Sequence, residues 1–163
     1  MKAVDDLLDE SIRVSRSLAA ELSPPILHDG GILAGLEWLA RFMANRHGLD
    51  VNIASETGSP RLEEDVKMFL FESVRELLLN TVKHAKTRSA KVGLSELDGK
   101  FLRITVDDQG AGFDPKSISD GDGGFGLFSI RERIALLQGR MEVESSPGNG
   151  ARFSLTVPLG PPT

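Results

Sequence analysis

Residues 90–112 read AKVGLSELDGKFLRITVDDQGAG, and this stretch decides the fold. Ala90 to Leu97 and Phe101 to Val106 alternate apolar and polar side chains, the period of half-buried strands. Asp98-Gly99 stands between them, and Asp-Gly is a signal for a two-residue hairpin turn. The second strand runs directly into Asp107-Asp108-Gln109-Gly110-Ala111-Gly112-Phe113. An acid followed by spaced glycines at a strand end is either an ordinary polar turn or a place where backbone approaches a ligand closely. Gly-x-Gly alone does not choose between them.

Upstream of this hairpin the pattern is helical. Residues 61–86 carry Val66, Phe69, Leu70, Val74, Leu77, Leu78, Thr81 and Ala85 on one face. At 100° per residue, Glu72 lies at 0°, Lys83 near 20°, Glu76 near 40° and Asn80 near 80°, with His84 at the edge. Charges alone usually mark a solvated helix face. Asparagine is a poor helix former, which makes Asn80 notable. An amide oxygen beside a carboxylate suits magnesium, and Lys83 suits phosphate. Further upstream, residues 3–22 read as a helix stopped by Ser23-Pro24-Pro25. His28-Asp29-Gly30-Gly31 reads as a turn, Ile32 to Asn45 as a second helix capped by Gly48, and Val51 to Ala54 as a short strand.

Downstream, Gly110 to Gly124 reads as a long loop and Leu127 to Leu137 as a short helix. Arg140–Ser145 and Ala151–Val157 read as a second hairpin across Pro147-Gly148-Asn149-Gly150. Ten of the 17 glycines fall between Gly110 and Gly160. Gly121-Asp122-Gly123-Gly124-Phe125-Gly126-Leu127 enters the short helix, where backbone amides can meet phosphate. It has no Gly-Lys-Ser/Thr and is not a P-loop. Helices first and antiparallel strands later indicate α+β, with helices on one face of a sheet.

Composition excludes several classes. The 163 residues carry 19 basic and 24 acidic side chains, a net charge of −5, which argues against nucleic-acid or membrane-surface binding. Cysteine is absent, so disulfides, thiolate metal sites and cysteine nucleophiles are excluded. There is no signal-peptide core and no apolar run approaching a membrane span, so a cytoplasmic location is expected.

The order of the motifs is more specific than any one of them. A Glu-x-x-x-Asn helix, Asp-x-Gly-x-Gly after a strand, Gly-x-Gly-Leu opening a helix and a final Gly-x-Gly hairpin together resemble the ATP-binding domain of the gyrase, Hsp90, histidine-kinase and MutL superfamily. Glu76 and Asn80 match its N box. Asp108, Gly110 and Gly112 match its first glycine box; Gly124, Gly126 and Leu127 match its second; Gly148 and Gly150 match its last glycine turn. Asn80-Thr81-Val82-Lys83-His84-Ala85 and Ser129 to Arg140 resemble histidine kinases of the NarL/DesK class. Leu18 to Leu39, around Leu22-Ser23-Pro24-Pro25-Ile26-Leu27, resembles the junction that leaves the dimerisation helices in that class.

The resemblance implies a two-layer α/β sandwich of Bergerat type, with a mixed, mostly antiparallel sheet covered on one face by helices. Residues 1–25 would be the tail of the second dimerisation helix and a linker, 26–160 the catalytic domain and 161–163 a tail. ATP would be bound with Mg2+ bridging its phosphates and Asn80. Glu76 would be the catalytic residue, orienting or deprotonating the attacking group or holding a magnesium-bound water. Lys83, His84, Gly110, Gly112, Gly124, Phe125, Gly126 and Leu127 would help bind the nucleotide, and Asp108 would select adenine. Pro115 to Gly124 would be a short lid.

Partners implied are the dimerisation and phosphoacceptor domain of the same kinase and, through the full-length kinase, a response regulator. The parent kinase could be membrane-anchored, although this segment makes no membrane contact. His28-Asp29 follows a Pro-Pro break and adjoins two glycines, so it is not expected to be the acceptor. The fragment would then bind ATP without phosphorylating itself in cis. Ala151 departs from the Thr or Ser often found after the last glycine, which removes one water-mediated adenine contact. Rival readings are an enzyme of the same superfamily with another acceptor, such as an anti-sigma-factor serine kinase, and a non-catalytic ATP-sensing or scaffold module.

Overall fold

Two long helices, α1 (Lys2–Leu22) and α2 (Pro25–His47), precede β1 (Asp50–Ser55), α3 (Glu64–His84), β2 (Ser89–Leu97) and β3 (Phe101–Asp108). A 3-10 helix (Pro115–Asp120), α4 (Gly124–Leu136), β4 (Arg140–Ser145) and β5 (Ala151–Pro158) complete the chain. This computed structural model describes residues 1–120 and 124–160.

The sheet order is β1-β2-β3-β5-β4. β1 pairs parallel to β2, and all other pairs are antiparallel. The hairpin turns at Asp98-Gly99 as the sequence predicts, both with positive φ, 54° and 65°, but Lys100 joins them between paired Leu97 and Phe101, so the connection is three residues and not two. One sheet face is buried. Val92, Leu94, Ile104, Val106, Phe153 and Leu155 project from it. They meet Leu36, Leu39 and Met43 of α2 and Leu70, Val74, Leu77 and Leu78 of α3 in one core. The architecture is thus an α+β two-layer sandwich. Trp38 lies partly buried beside this core, stacked on Phe42 with centroids 5.3 Å apart.

Two expected boundaries move. Residues 25–30 are helical and not a turn, and α2 runs through them to His47 with one break at Gly31 (φ 83°, ψ −174°). Pro25 at the first helical position is pre-organised for the helix, and fully buried Leu27 anchors the turn. A side chain at Gly31 would meet the hydroxyl of Ser59, so the break and the glycine belong together. The loop after Gly110 is also shorter than expected, because Pro115–Asp120 form the 3-10 helix and α4 begins at Gly124. Gly121 to Gly123, part of the expected lid, lie outside the described residues. No helix among the described residues is long and apolar enough to cross a membrane.

Candidate active site

The site is built where the ends of α3 and β3 meet the β4–β5 turn and the start of α4. α3 buries Phe69, Leu70, Val74, Leu77 and Leu78 against the sheet. Only part of its polar stripe is the solvated face that charge alone would indicate. Glu72, Glu76 and Asn80 are half-buried. α4 packs beside this stripe: Arg133 reaches Glu72 at 3.3 Å and lies over the Phe69 ring at 4.9 Å. A methyl group on Gly126, in the first turn of α4, would run into the Glu76 carboxylate. Glycine at 126 therefore lets the second glycine segment close on Glu76. Lys83 and His84 are exposed in the last turn of α3. Leu127 is half-buried, and the Phe125 side chain lies outside the described residues.

β3 delivers the acid. Asp107 and Asp108 point to opposite sheet faces, as strand alternation requires. Asp107 closes on Arg152 Nε at 2.5 Å. That hydrogen bond and the carboxylate's charge raise the arginine's pKa above its usual value. Asp108 is on the helix side and 7% exposed. Its Oδ1 accepts the Gly110 N–H at 2.8 Å. Among the described residues, its other oxygen has no hydrogen-bond partner. Ala151 lies opposite Asp108 in the β3–β5 register.

The glycines hold three segments together at a spacing no side chain would allow. Ala111 N–H donates to Ala85 O at 2.6 Å, and a Cβ on Gly110 would strike that same carbonyl. Gly148 N–H donates to Ala111 O at 2.6 Å, and Gly150 N–H to Gly110 O at 3.1 Å. Gly112 (φ 64°) and Gly150 (φ 68°) are left-handed, and a Cβ on either would meet a carbonyl oxygen of the facing segment. The first glycine segment is thus locked to the end of α3 and to the β4–β5 turn.

Sequence reasoning missed Ser145. Its hydroxyl donates to Gly150 O at 2.7 Å and accepts Phe113 N–H at 2.9 Å, joining the turn to the glycine loop. A serine at a strand end carries no pattern that announces this. Phe113 stacks on Phe153 with centroids 6.0 Å apart, whereas Phe128 is 61% exposed.

Comparisons with known proteins place the chain in a family. Residues 65–161 match the family described as histidine kinase-, DNA gyrase B- and HSP90-like ATPase. An uncharacterized sensor-like histidine kinase of Chloroflexus aurantiacus is 32% identical over 149 residues, which are 88% of this chain and 25% of that protein. The sensor histidine kinase ComP of Bacillus subtilis is 26% identical over 96% of this chain and 20% of its own length. For the histidine-protein kinase/phosphatase DegS of Brevibacillus brevis the values are 28%, 98% and 41%. The chain thus spans less than half the length of these relatives.

Among solved structures, the blue-light activated histidine kinase of Erythrobacter litoralis shares the fold at a TM-score of 0.63 and 22% identity, over 76% of this chain and 40% of that one. The histidine kinase AdeS of Acinetobacter baumannii does so at 0.66 and 11%, over 97% and 84%. With residues 65–161 covered by the family match and the glycine segments interlocked around Asp108 and Glu76, this chain belongs to the histidine kinase-, DNA gyrase B- and HSP90-like ATPase family.

Proposed function

We propose that this chain is the ATP-binding catalytic part of a sensor histidine kinase of the NarL/DesK class. In this reading residues 1–25 come from the second dimerisation helix and its linker, 26–160 form the catalytic domain and 161–163 a tail. The observation that carries it is Asp108. It is a 7% exposed residue whose one carboxylate oxygen accepts the Gly110 N–H and whose other has no partner among the described residues, set where the glycine segments converge. An unpartnered acceptor of this kind fits an exocyclic amine, such as adenine's. Guanine offers an oxygen at the corresponding ring carbon, so ATP is selected over GTP.

The phosphates would lie toward α3 and α4. Backbone N–H groups at the start of α4, Gly124 to Leu127, carry the positive end of a helix dipole. Lys83 and His84 add cationic or hydrogen-bonding groups from the last turn of α3. Among the described residues no group of three or more His, Asp or Glu could hold a metal alone. Glu76 and Asn80, one turn apart on the half-buried stripe, would hold magnesium through the oxygen donors that suit it. When bound, the ion supplies charge neutralisation on the phosphates. Glu76 would orient the attacking imidazole or accept its proton; a ring nitrogen of a histidine in the dimerisation domain would bond the γ-phosphorus as its bond to the β–γ bridging oxygen breaks, ADP would leave, and the phosphoryl group would be relayed to a response regulator. Positioning and charge stabilisation carry most of such a transfer.

The test uses γ-labelled ATP. A longer kinase chain bearing the dimerisation helices is expected to take up acid-labile label, the property of phosphohistidine, and to lose it in Glu76→Gln. The present chain alone is expected to stay unlabelled. Acid-stable label on a serine of an added protein would replace this reading with the serine-kinase one.

A further inference from the structure

α1 stands away from the rest of the molecule. Its side chains from Lys2 to Ala19 are exposed. At 1.5 Å per residue its 21 residues form a rod about 30 Å long. The direction of that rod is set at its base. Ser23 ends the helix, its N–H on Ala19 O at 2.9 Å. Pro24 and Pro25 follow, with fixed φ and little freedom for the residue before them.

A chain of side-chain bonds then ties this base to two other helices. Ser23 Oγ lies 2.8 Å from His28 Nε2, in the first turns of α2. His28 Nδ1 lies 2.8 Å from Glu64 Oε2, at the first residue of α3. Lys67 Nζ donates to Glu64 Oε1 at 2.6 Å and to His28 O at 3.4 Å. Lys67 is only 7% exposed, and a buried ammonium needs such a partner. Ser23 Oγ also lies 3.3 Å from Met68 Sδ.

The network is satisfiable throughout. A carboxylate only accepts, so the Nδ1 hydrogen points to Glu64. In the neutral ring Nε2 accepts the Ser23 hydrogen. In the imidazolium Nε2–H donates to Ser23 Oγ, and the hydroxyl hydrogen turns to Met68.

We propose that Ser23, His28, Glu64 and Lys67 form a polar clasp that fixes the direction of α1 against the N-terminus of α3. Opening it frees α1 to swing about Pro24. α3 is the helix that carries Glu76 and Asn80 about three to four turns further on, so the clasp links the attitude of α1 to the element on which the site is built.

The chain has no cysteine, so Ser11→Cys on α1 and Lys100→Cys at the β2–β3 turn accept a clean pair of nitroxide labels. Both positions are exposed. Pulsed electron resonance is measured with the labelled chain diluted into unlabelled chain, so that only distances within one molecule are read. The otherwise unaltered pair is expected to give one narrow distance distribution. His28→Ala and Glu64→Gln are each expected to widen it at least about twofold. Ser23→Ala, which removes a single hydroxyl, is expected to widen it in the same sense. Asp29→Ala, an exposed neighbour outside the clasp, is expected to leave it unchanged. A distribution already as broad before substitution, or equally narrow in Ser23→Ala and Glu64→Gln proteins that retain their circular dichroism, overturns the proposal. No nucleotide enters this measurement, so its outcome is separate from that of the ATP site.

Discussion

Asp107 and Asp108 are neighbours in sequence with opposite fates. One is neutralised by Arg152 on the helix-free face; the other is buried on the helix side with an oxygen to spare. Asp108→Asn keeps an oxygen for the Gly110 N–H and removes the charge and one acceptor. Thermal stability is expected to stay within roughly 2 °C, while ATP affinity falls at least about tenfold, near 1.4 kcal/mol. A lowered melting temperature with unchanged affinity would instead mark Asp108 as a structural residue only. Gly150→Ala behaves differently, because it combines a left-handed backbone with a collision against Asp108 O. The conformational cost is about 1–2 kcal/mol and the overlap about 1–3 kcal/mol more, readable as a lower urea midpoint. Both glycine boxes stand in the sequence as motifs. What the motifs do not show is that Gly110 and Gly126 are empty of side chains for different neighbours, the Ala85 carbonyl and the Glu76 carboxylate. Those neighbours are 25 and 50 residues away in the chain.

At the scale of elements, α3 is the helix most fully legible in advance, since its apolar periodicity follows from local spacing alone. Its polar stripe was legible as a stripe but not as an interface, because the cover comes from α4, a separate element. Arg133→Ala removes the half-exposed pair with Glu72 and the stacking on Phe69. A loss of about 0.5–1.5 kcal/mol is expected by denaturant titration, larger than an exposed ion pair alone would give.

The start of α3 supplies a pH dependence. Lys67, and then His28, hold the Glu64 carboxyl below its ordinary range by hydrogen bonding. A carboxyl depressed in the folded state contributes stability above its unfolded pKa and loses it as pH falls through the lower folded value. Glu64→Gln is therefore expected to lower the melting temperature at neutral pH, with the gap to the unaltered protein closing below about pH 4. An equal gap at all pH values would show that the charge of Glu64 is not involved. Residues 25–30 show how a local rule was overruled: two glycines argued for a turn, yet buried Leu27 and Pro25 at the helix start outweighed them everywhere except Gly31.

At the scale of the molecule, the hairpins were readable because they close over a few residues. The Asp98-Gly99 and Pro147–Gly150 turns mark their own positions. The insertion of β5 between β3 and β4, and the parallel pairing of β1 with β2, were not readable. They depend on contacts far apart in sequence, which no window of residues reports. That arrangement is nevertheless what brings Asp108 opposite Ala151 and sets the β4–β5 turn on the glycine loop. The site is therefore a product of sheet order, and its residues come from segments that meet only in the folded chain.

The central claim is that these segments form an adenine-nucleotide site, and calorimetric titration with ATP and magnesium tests it most directly. The account predicts saturable binding of ATP in preference to GTP, loss of binding in Asp108→Ala, and weakened magnesium dependence in Asn80→Ala. Folded protein that takes up no nucleotide, or that binds ATP and GTP equally with Asp108 removed, contradicts it.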